Sequence, residues 1–110
     1  MFVRSTQLLT ITYVRPWRPP TDVYETETDV VVEVEIAGMR DEDFHVSLEG
    51  RLLTISGTRA DKPRERRAYH EMEIPSGEFR TDLELPVTID TDAIRAVYED
   101  GFLRIRLQKA

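Results

Sequence analysis

Two histidines and several carboxylates near them are the residues of this chain that could bind a metal. The segment HEMEI at 70–74 begins like the zinc-protease motif, in which a second histidine follows the first by four residues on one helix face. Ile74 occupies that position, so the motif is incomplete. His45 and His70 could each combine with carboxylates, but they are better explained as residues that face solvent. We therefore predict no metal site and no cofactor.

Other catalytic arrangements find no support in the sequence. Ser47, Ser56 and Ser76 lack a recognisable arrangement of catalytic partners. So many acidic residues place carboxylates side by side by chance, and the glycines lie too far apart to form a phosphate-binding loop. Basic residues between 59 and 67 are interrupted by acids, a pattern that favours a solvated or intersubunit loop over a nucleic-acid patch. We predict that the protein is not an enzyme.

Length and composition limit the scaffold that could position these residues. A chain of 110 residues fits one domain, and a domain of this size buries roughly 65% of the surface that its unfolded chain exposes. The absence of cysteine excludes disulfides and thiolate chemistry. A net charge of -6 argues against general nucleic-acid binding, because such binding depends on neutralising phosphates. No stretch is long and apolar enough to span a membrane, and we expect a soluble, cytoplasmic protein.

Apolar and polar residues alternate along most of the chain. In DVVVEVEIAG, one face carries Val30, Val32, Val34 and Ile36, and the other carries Val31, Glu33, Glu35 and Ala37. This period of two is typical of a half-buried β-strand. The pattern predicts strands near residues 21–26, 30–37, 43–49, 51–58, 78–85, 93–98 and 102–108.

Turn signals separate these strands. Asp100-Gly101 between two alternating segments predicts a tight hairpin, because glycine accepts the positive φ that the turn requires. DEDF at 41–44 and DTDAI at 90–94 each suggest a brief helical turn. Residues 59–74 form a charged connection that is too long for an ordinary hairpin loop. Many short strands at close spacing indicate a sandwich or a barrel.

Several motifs in the same order resemble the α-crystallin domain of small heat shock proteins, particularly the bacterial type. The resemblance covers about residues 16–109 and is far more specific than any single motif. Leu85-Pro86 is similar to the family's usual end of its central strand. The opening and signature positions that carry the likeness are Trp17, Pro19, Asp22, Tyr24, Glu25, Ala96, Asp100, Gly101 and Leu103, with Phe102 in place of the usual valine.

The resemblance implies an all-β fold, an immunoglobulin-like antiparallel β-sandwich with a long strand-exchange loop. It also implies an ATP-independent holdase that binds partly unfolded proteins and suppresses their aggregation, with no catalytic residue. The family's groove for clients or tails lies between the strands that correspond here to residues 43–49 and 93–98. The positions that would line it here are Phe44, Val46, Leu48, Ile94, Ala96 and Tyr98, and each of them could equally belong to a sandwich core.

The long connection also gains a role from the resemblance. In the bacterial and plant type, the equivalent loop carries a short strand that pairs with the first edge strand of a second subunit, making a homodimer. The loop residues that would do so here are Arg66, Arg67, Ala68, Tyr69, His70, Glu71, Met72 and Glu73. They would lie against residues 21–26 of the partner.

Both ends of the chain differ from the family pattern. We divide the chain into a short N-terminal arm at 1–15 and an α-crystallin domain at 16–110 without a C-terminal tail motif, which puts a large oligomer in doubt. Leu9-Thr10-Ile11 has apolar-x-apolar spacing and could add itself to a groove edge. Thr81 also occupies a position where the family commonly has arginine.

A second function remains open from the sequence. A sandwich of the same type could be a non-catalytic adaptor, similar to the co-chaperone domains that bind a folded partner and suppress aggregation poorly. The long loop favours the holdase, since the single-chain co-chaperone type lacks a strand-exchange loop.

Overall fold

Two antiparallel β-sheets form the fold of residues 16–60 and 65–110, the part of the chain that the computed structural model describes. The strands are β1 (Thr21–Glu25), β2 (Asp29–Glu35), β3 (Phe44–Glu49), β4 (Leu52–Arg59), β5 (Gly77–Glu84), β6 (Ile89–Glu99) and β7 (Phe102–Lys109). The first sheet has the order β1-β2-β7-β6, and the second has the order β3-β4-β5. The predicted all-β antiparallel sandwich is confirmed.

The core lies between the two sheets. It consists of the inward-facing side chains of strands in which apolar and polar residues alternate. Val30, Val32 and Val34 of β2 join Leu53 and Ile55 of β4 in one buried cluster. Each side chain of this kind contributes about 1.5–3 kcal/mol when it is fully buried. The period of two therefore fixes which face of each strand points inward, as the sequence predicted.

The burial of Val31 was not predicted from its position on the opposite face of β2. Its side chain is fully buried although Glu33, on the same face, is only half-buried. In register, Val31 lies between Tyr24 of β1 and Arg106 of β7. A residue in the middle of a sheet is flanked on both sides, and long neighbouring side chains can cover it with their apolar portions.

The turns agree with the sequence except at residues 90–94. Asp100 and Gly101 both have positive φ, 54° and 80°, as a two-residue hairpin turn requires, and Asp41–Asp43 form a short 3₁₀ turn. The helical turn predicted at 90–94 is wrong. These residues belong to β6, where residues 90–93 oppose only Gln108 of β7 in a bulge.

The segment before β1 lies against the second sheet. Trp17 forms a parallel bridge with Phe79, donating its backbone N–H to the Glu78 carbonyl and accepting from the Arg80 N–H. Prolines at 16, 19 and 20 favour such an extended, weakly paired approach, because proline cannot donate a backbone hydrogen bond to a sheet. The N-terminal arm at 1–15 and the Leu9-Thr10-Ile11 segment lie outside the described residues, and both remain predictions.

Candidate functional site

A cleft lined mostly by apolar side chains, here called the apolar cleft, opens between β3 and β6, which are edge strands of different sheets. Within the described residues, β3 pairs with β4 on one side and β6 pairs with β7 on one side, so the other side of each strand has no strand partner. The cleft has a volume of about 230 Å³ and is lined by Asp41, Phe44, Val46, Ala96, Tyr98 and Leu103. Unpaired strand edges beside an apolar cleft can accept an extended chain.

Four of the six predicted groove residues meet in this cleft. The rings of Phe44 and Tyr98 lie 5.0 Å apart between centroids, and Val46 and Ala96 are exposed beyond them. Leu48 and Ile94 point from the same faces of β3 and β6, but they are half-buried and pack against the core. Each of the six residues could also have belonged to the core of the sandwich. That alternative describes Leu48 and Ile94 better than it describes Val46, which is 38% exposed.

Tyr98 connects the cleft to the turn that leads into β3. Its hydroxyl donates a 2.7 Å hydrogen bond to the Ile36 carbonyl and accepts one of 3.3 Å from the Met39 backbone N–H. Asp41 and Leu103 also line the cleft, although the sequence did not assign them to it. Leu103 has the inward alternation of a core residue, and nothing in the sequence distinguishes Asp41 from other exposed acids.

The loop between β4 and β5, residues 60–76, carries the predicted exchange residues. Its described part, 65–76, contains no strand, and each of its side chains is exposed to solvent. Met72 is 65% exposed and Ile74 is 81% exposed. The Arg67 guanidinium bonds to the Glu65 carboxylate at 3.0 Å and donates to the Tyr69 hydroxyl at 3.1 Å. The apolar side chains of this loop thus project where a second chain could cover them.

The strand predicted to receive this loop is at the other edge of the first sheet. β1 pairs with β2 on one side, and within the described residues its outer side pairs with no strand. Val23 and Tyr24 are each 43% exposed. Ile74 follows the predicted exchange residues directly in the sequence but was not included among them. An isoleucine in an otherwise charged loop could have indicated an additional contact residue.

The outer face of the first sheet is charged and internally paired. Arg104 bonds to Glu33 at 2.6 Å, and Arg106 bonds to Asp29 at 2.8 Å. The hydrogen bond from Arg104 to Glu33, reinforced by the carboxylate charge, raises the pKa of the arginine. The arginines of these pairs are exposed and their carboxylates are half-buried, so this face differs in character from the apolar cleft.

Within the described part of the chain, neither histidine lies in a cluster of potential metal ligands. Across 16–60 and 65–110 no three or more His, Asp or Glu side chains are grouped so that they could hold a metal ion. His45 is exposed on the outer face of β3, and His70 is exposed in the loop. No helix in the described part of the chain is long and apolar enough to cross a membrane.

Comparison with other proteins gives consistent matches. The model of the Hsp20/alpha crystallin family matches residues 22–110. Small heat shock protein C2 of Rickettsia felis is 36% identical over 92 residues, which cover 83% of this chain and 60% of that protein. A 17.9 kDa class II heat shock protein of Glycine max is 37% identical over 92 residues, covering 82% and 58%. The chain thus spans less than two thirds of the length of these two relatives.

Solved structures resemble the fold over most of its length. Heat shock protein 16.0 from Schizosaccharomyces pombe superposes with a TM-score of 0.75 at 31% identity, covering 84% of this chain and 87% of that one. The hspA structure from Xanthomonas axonopodis gives a TM-score of 0.77 at 27% identity, covering 86% and 96%. From the family match and the shared fold, this chain belongs to the Hsp20/alpha crystallin family.

Proposed function

We propose that this protein is an ATP-independent chaperone that holds partly unfolded proteins and suppresses their aggregation. The observation that carries the proposal is the apolar cleft between β3 and β6, bordered by two strand edges without strand partners in the described chain. Membership of a family whose relatives are named heat shock proteins supports the same role.

The cleft suggests how a client would bind. An extended segment would add itself to the β3 or β6 edge through main-chain hydrogen bonds, and its alternate side chains would enter the cleft. Each apolar side chain that it buries would contribute at most about 1.5–3 kcal/mol, from which the ordering of the client must be subtracted. Such binding is weak and reversible at one cleft, needs no nucleotide and selects for exposed apolar residues.

A homodimer is the assembly that we propose for this activity. The exposed apolar residues of the 65–76 loop are complementary in kind to the outer side of β1, which pairs with no strand in the described chain. An edge strand of this kind offers backbone donors and acceptors to an extended segment. Arg66 of the loop could also approach Asp22 of a second chain, and both residues are exposed. Two copies would each give one loop and accept one, as two-fold symmetry requires.

Light scattering from a heat-labile enzyme tests the holdase. The enzyme is warmed without ATP in the presence of increasing amounts of this protein, or of an inert protein of similar charge. We expect suppression near stoichiometric ratios. An enzyme that aggregates equally with both proteins would contradict the proposal and favour an adaptor that binds a folded partner.

Two matched valines test the role of the cleft. Val46→Asp places a charge in the cleft, whereas Val97→Asp places one on the outer face of β6, where the valine is 55% exposed. We expect Val46→Asp to lose most of the suppression and Val97→Asp to retain it, with far-UV circular dichroism confirming that both fold. Equal activity of the two variants would place client binding elsewhere.

A further inference from the structure

Arg59 connects the two ends of the long loop to the body of the sandwich. It is the last residue of β4, so the 60–76 loop begins immediately after it. Its Nε donates to the Pro75 carbonyl at 3.1 Å, and its Nη2 donates to the same oxygen. Because Pro75 lies two residues before β5, this contact joins the start of the loop to its end.

The same guanidinium also contacts two segments outside the loop. Its Nη1 donates to the Ala37 carbonyl at 3.4 Å, in the turn after β2, and its central carbon lies 4.6 Å from the centre of the Trp17 ring. Trp17 is itself held, since its indole N–H donates to the Gly77 carbonyl at 3.3 Å. Arg59 therefore lies at a junction of four segments of the described chain.

The chemistry of this junction requires arginine. The planar guanidinium group donates hydrogen bonds in several directions and stacks on an aromatic face. A lysine ammonium group is a compact charge and lacks the forked arrangement of donors. In the described chain, Arg59 forms no ion pair with a carboxylate, and its donors go to backbone carbonyls. Its charge thus serves to hold backbone and ring in place.

We propose that Arg59 is the positioning residue of the exchange loop. By clamping the base of the loop between Pro75 and Trp17, it limits the conformations of the loop and directs Tyr69, Met72 and Ile74 toward a second copy of this chain. Restricting a binding segment before association lowers the entropy that association must remove. This inference rests on the proposed loop-mediated dimer.

Trp17 makes the clamp directly observable, because it is the only tryptophan of the chain. Arg59→Met keeps the aliphatic stem but removes all donors and the cation. Arg59→Lys keeps the charge but not the forked donation to Pro75. Arg51→Met is the matched control, since Arg51 is an exposed arginine in the turn immediately before β4 and pairs with Glu84 at 3.1 Å.

The experiment measures the dimer dissociation constant by analytical ultracentrifugation and Trp17 emission with acrylamide quenching on the same samples. We expect Arg59→Met to increase quenching and to raise the dissociation constant by about tenfold or more. Arg59→Lys should raise the dissociation constant similarly while keeping more of the wild-type emission. This second variant also provides a test if Arg59→Met does not fold. Arg51→Met should match the wild type in both measurements.

The outcomes separate this inference from the dimer on which it rests. A wild-type chain that remains monomeric up to high concentration contradicts the proposed dimer and the role of Arg59 with it. A wild-type dimer whose dissociation constant is the same in both folded Arg59 variants overturns the positioning role alone, whatever the Trp17 emission does.

Discussion

The ring of Tyr98 on β6 lies 5.0 Å from the ring of Phe44 on β3, so one aromatic contact joins the edge strands of the two sheets. Phe44 also packs edge-on against Phe79 of the core, with ring centroids 6.0 Å apart. Two rigid aromatic rings therefore form one end of the cleft, and the exposed side chains of Val46 and Ala96 line the rest. Its width depends on how β3 is held relative to β6.

Tyr98→Phe should lower the free energy of unfolding by about 1 kcal/mol, because it removes the hydroxyl that bonds to Ile36 and Met39 while keeping the ring. Urea unfolding measures the change. Tyr24→Phe is the matched control, since Tyr24 is exposed and forms no hydrogen bond within the described chain. Equal stability of wild type and Tyr98→Phe would mean that the hydroxyl bonds do not hold this turn.

Thr81→Val should raise the free energy of unfolding by about 1 kcal/mol. Thr81 is fully buried, and its hydroxyl has no hydrogen-bond partner among the described residues. Valine has nearly the same shape without the polar group. Thr58→Val, at an exposed position of β4, should change stability by less than about 0.5 kcal/mol. A destabilised Thr81→Val would indicate that the hydroxyl has a partner after all.

Gly57→Ala should lower the free energy of unfolding by about 2 kcal/mol. A Cβ at this position would collide with the backbone carbonyl of Asp43 and would lie 2.7 Å from the Phe79 ring. Backbone cannot move aside as a flexible side chain can, so the 3₁₀ turn before β3 would shift. Thermal unfolding measures the loss, with Ser56→Ala as the neighbouring control. An unchanged melting temperature would show that this turn has room to move.

The double substitution Tyr69→Asp and Met72→Asp should raise the dimer dissociation constant by about tenfold or more, because it places charges where the proposed interface buries apolar groups. Both side chains are exposed in the single chain, 48% and 65%, so folding should be unaffected. Leu52→Asp, at the opposite end of β4 from the loop, is the control. A dimer that persists unaltered at micromolar concentration would exclude these two residues from the interface.

Strands such as β7 could be predicted because one of their faces lies in water and the other lies in the core. In β7, Leu103, Ile105 and Leu107 are buried while Arg104 and Arg106 are exposed, so the alternation in the sequence is a direct record of the environment. The bulge at 90–93 could not be predicted in this way. Its Asp-Thr-Asp residues favour local turns of several kinds, and pairing with β7 decides among them.

The residues of the candidate cleft could be predicted only in part from the alternation of apolar and polar residues. Phe44, Val46, Leu48, Ile94, Ala96 and Tyr98 share the inward period of core residues, and their names alone do not separate a groove from a core. The difference depends on whether another strand covers them. Val46 is exposed because β3 ends its sheet, whereas Ile55, opposite it on the central strand β4, is fully buried.

The sequence by itself determined the all-β class, the faces of the strands and the tight turn at Asp100-Gly101, since these depend on side-chain period and local backbone preference. Only the tertiary structure decided which strands lie at the edges and that Val31 is buried. It also decided that Arg59 contacts Trp17, Ala37 and Pro75. Those relations join residues far apart in the chain. They depend on the packing of two sheets, which no short-range pattern encodes.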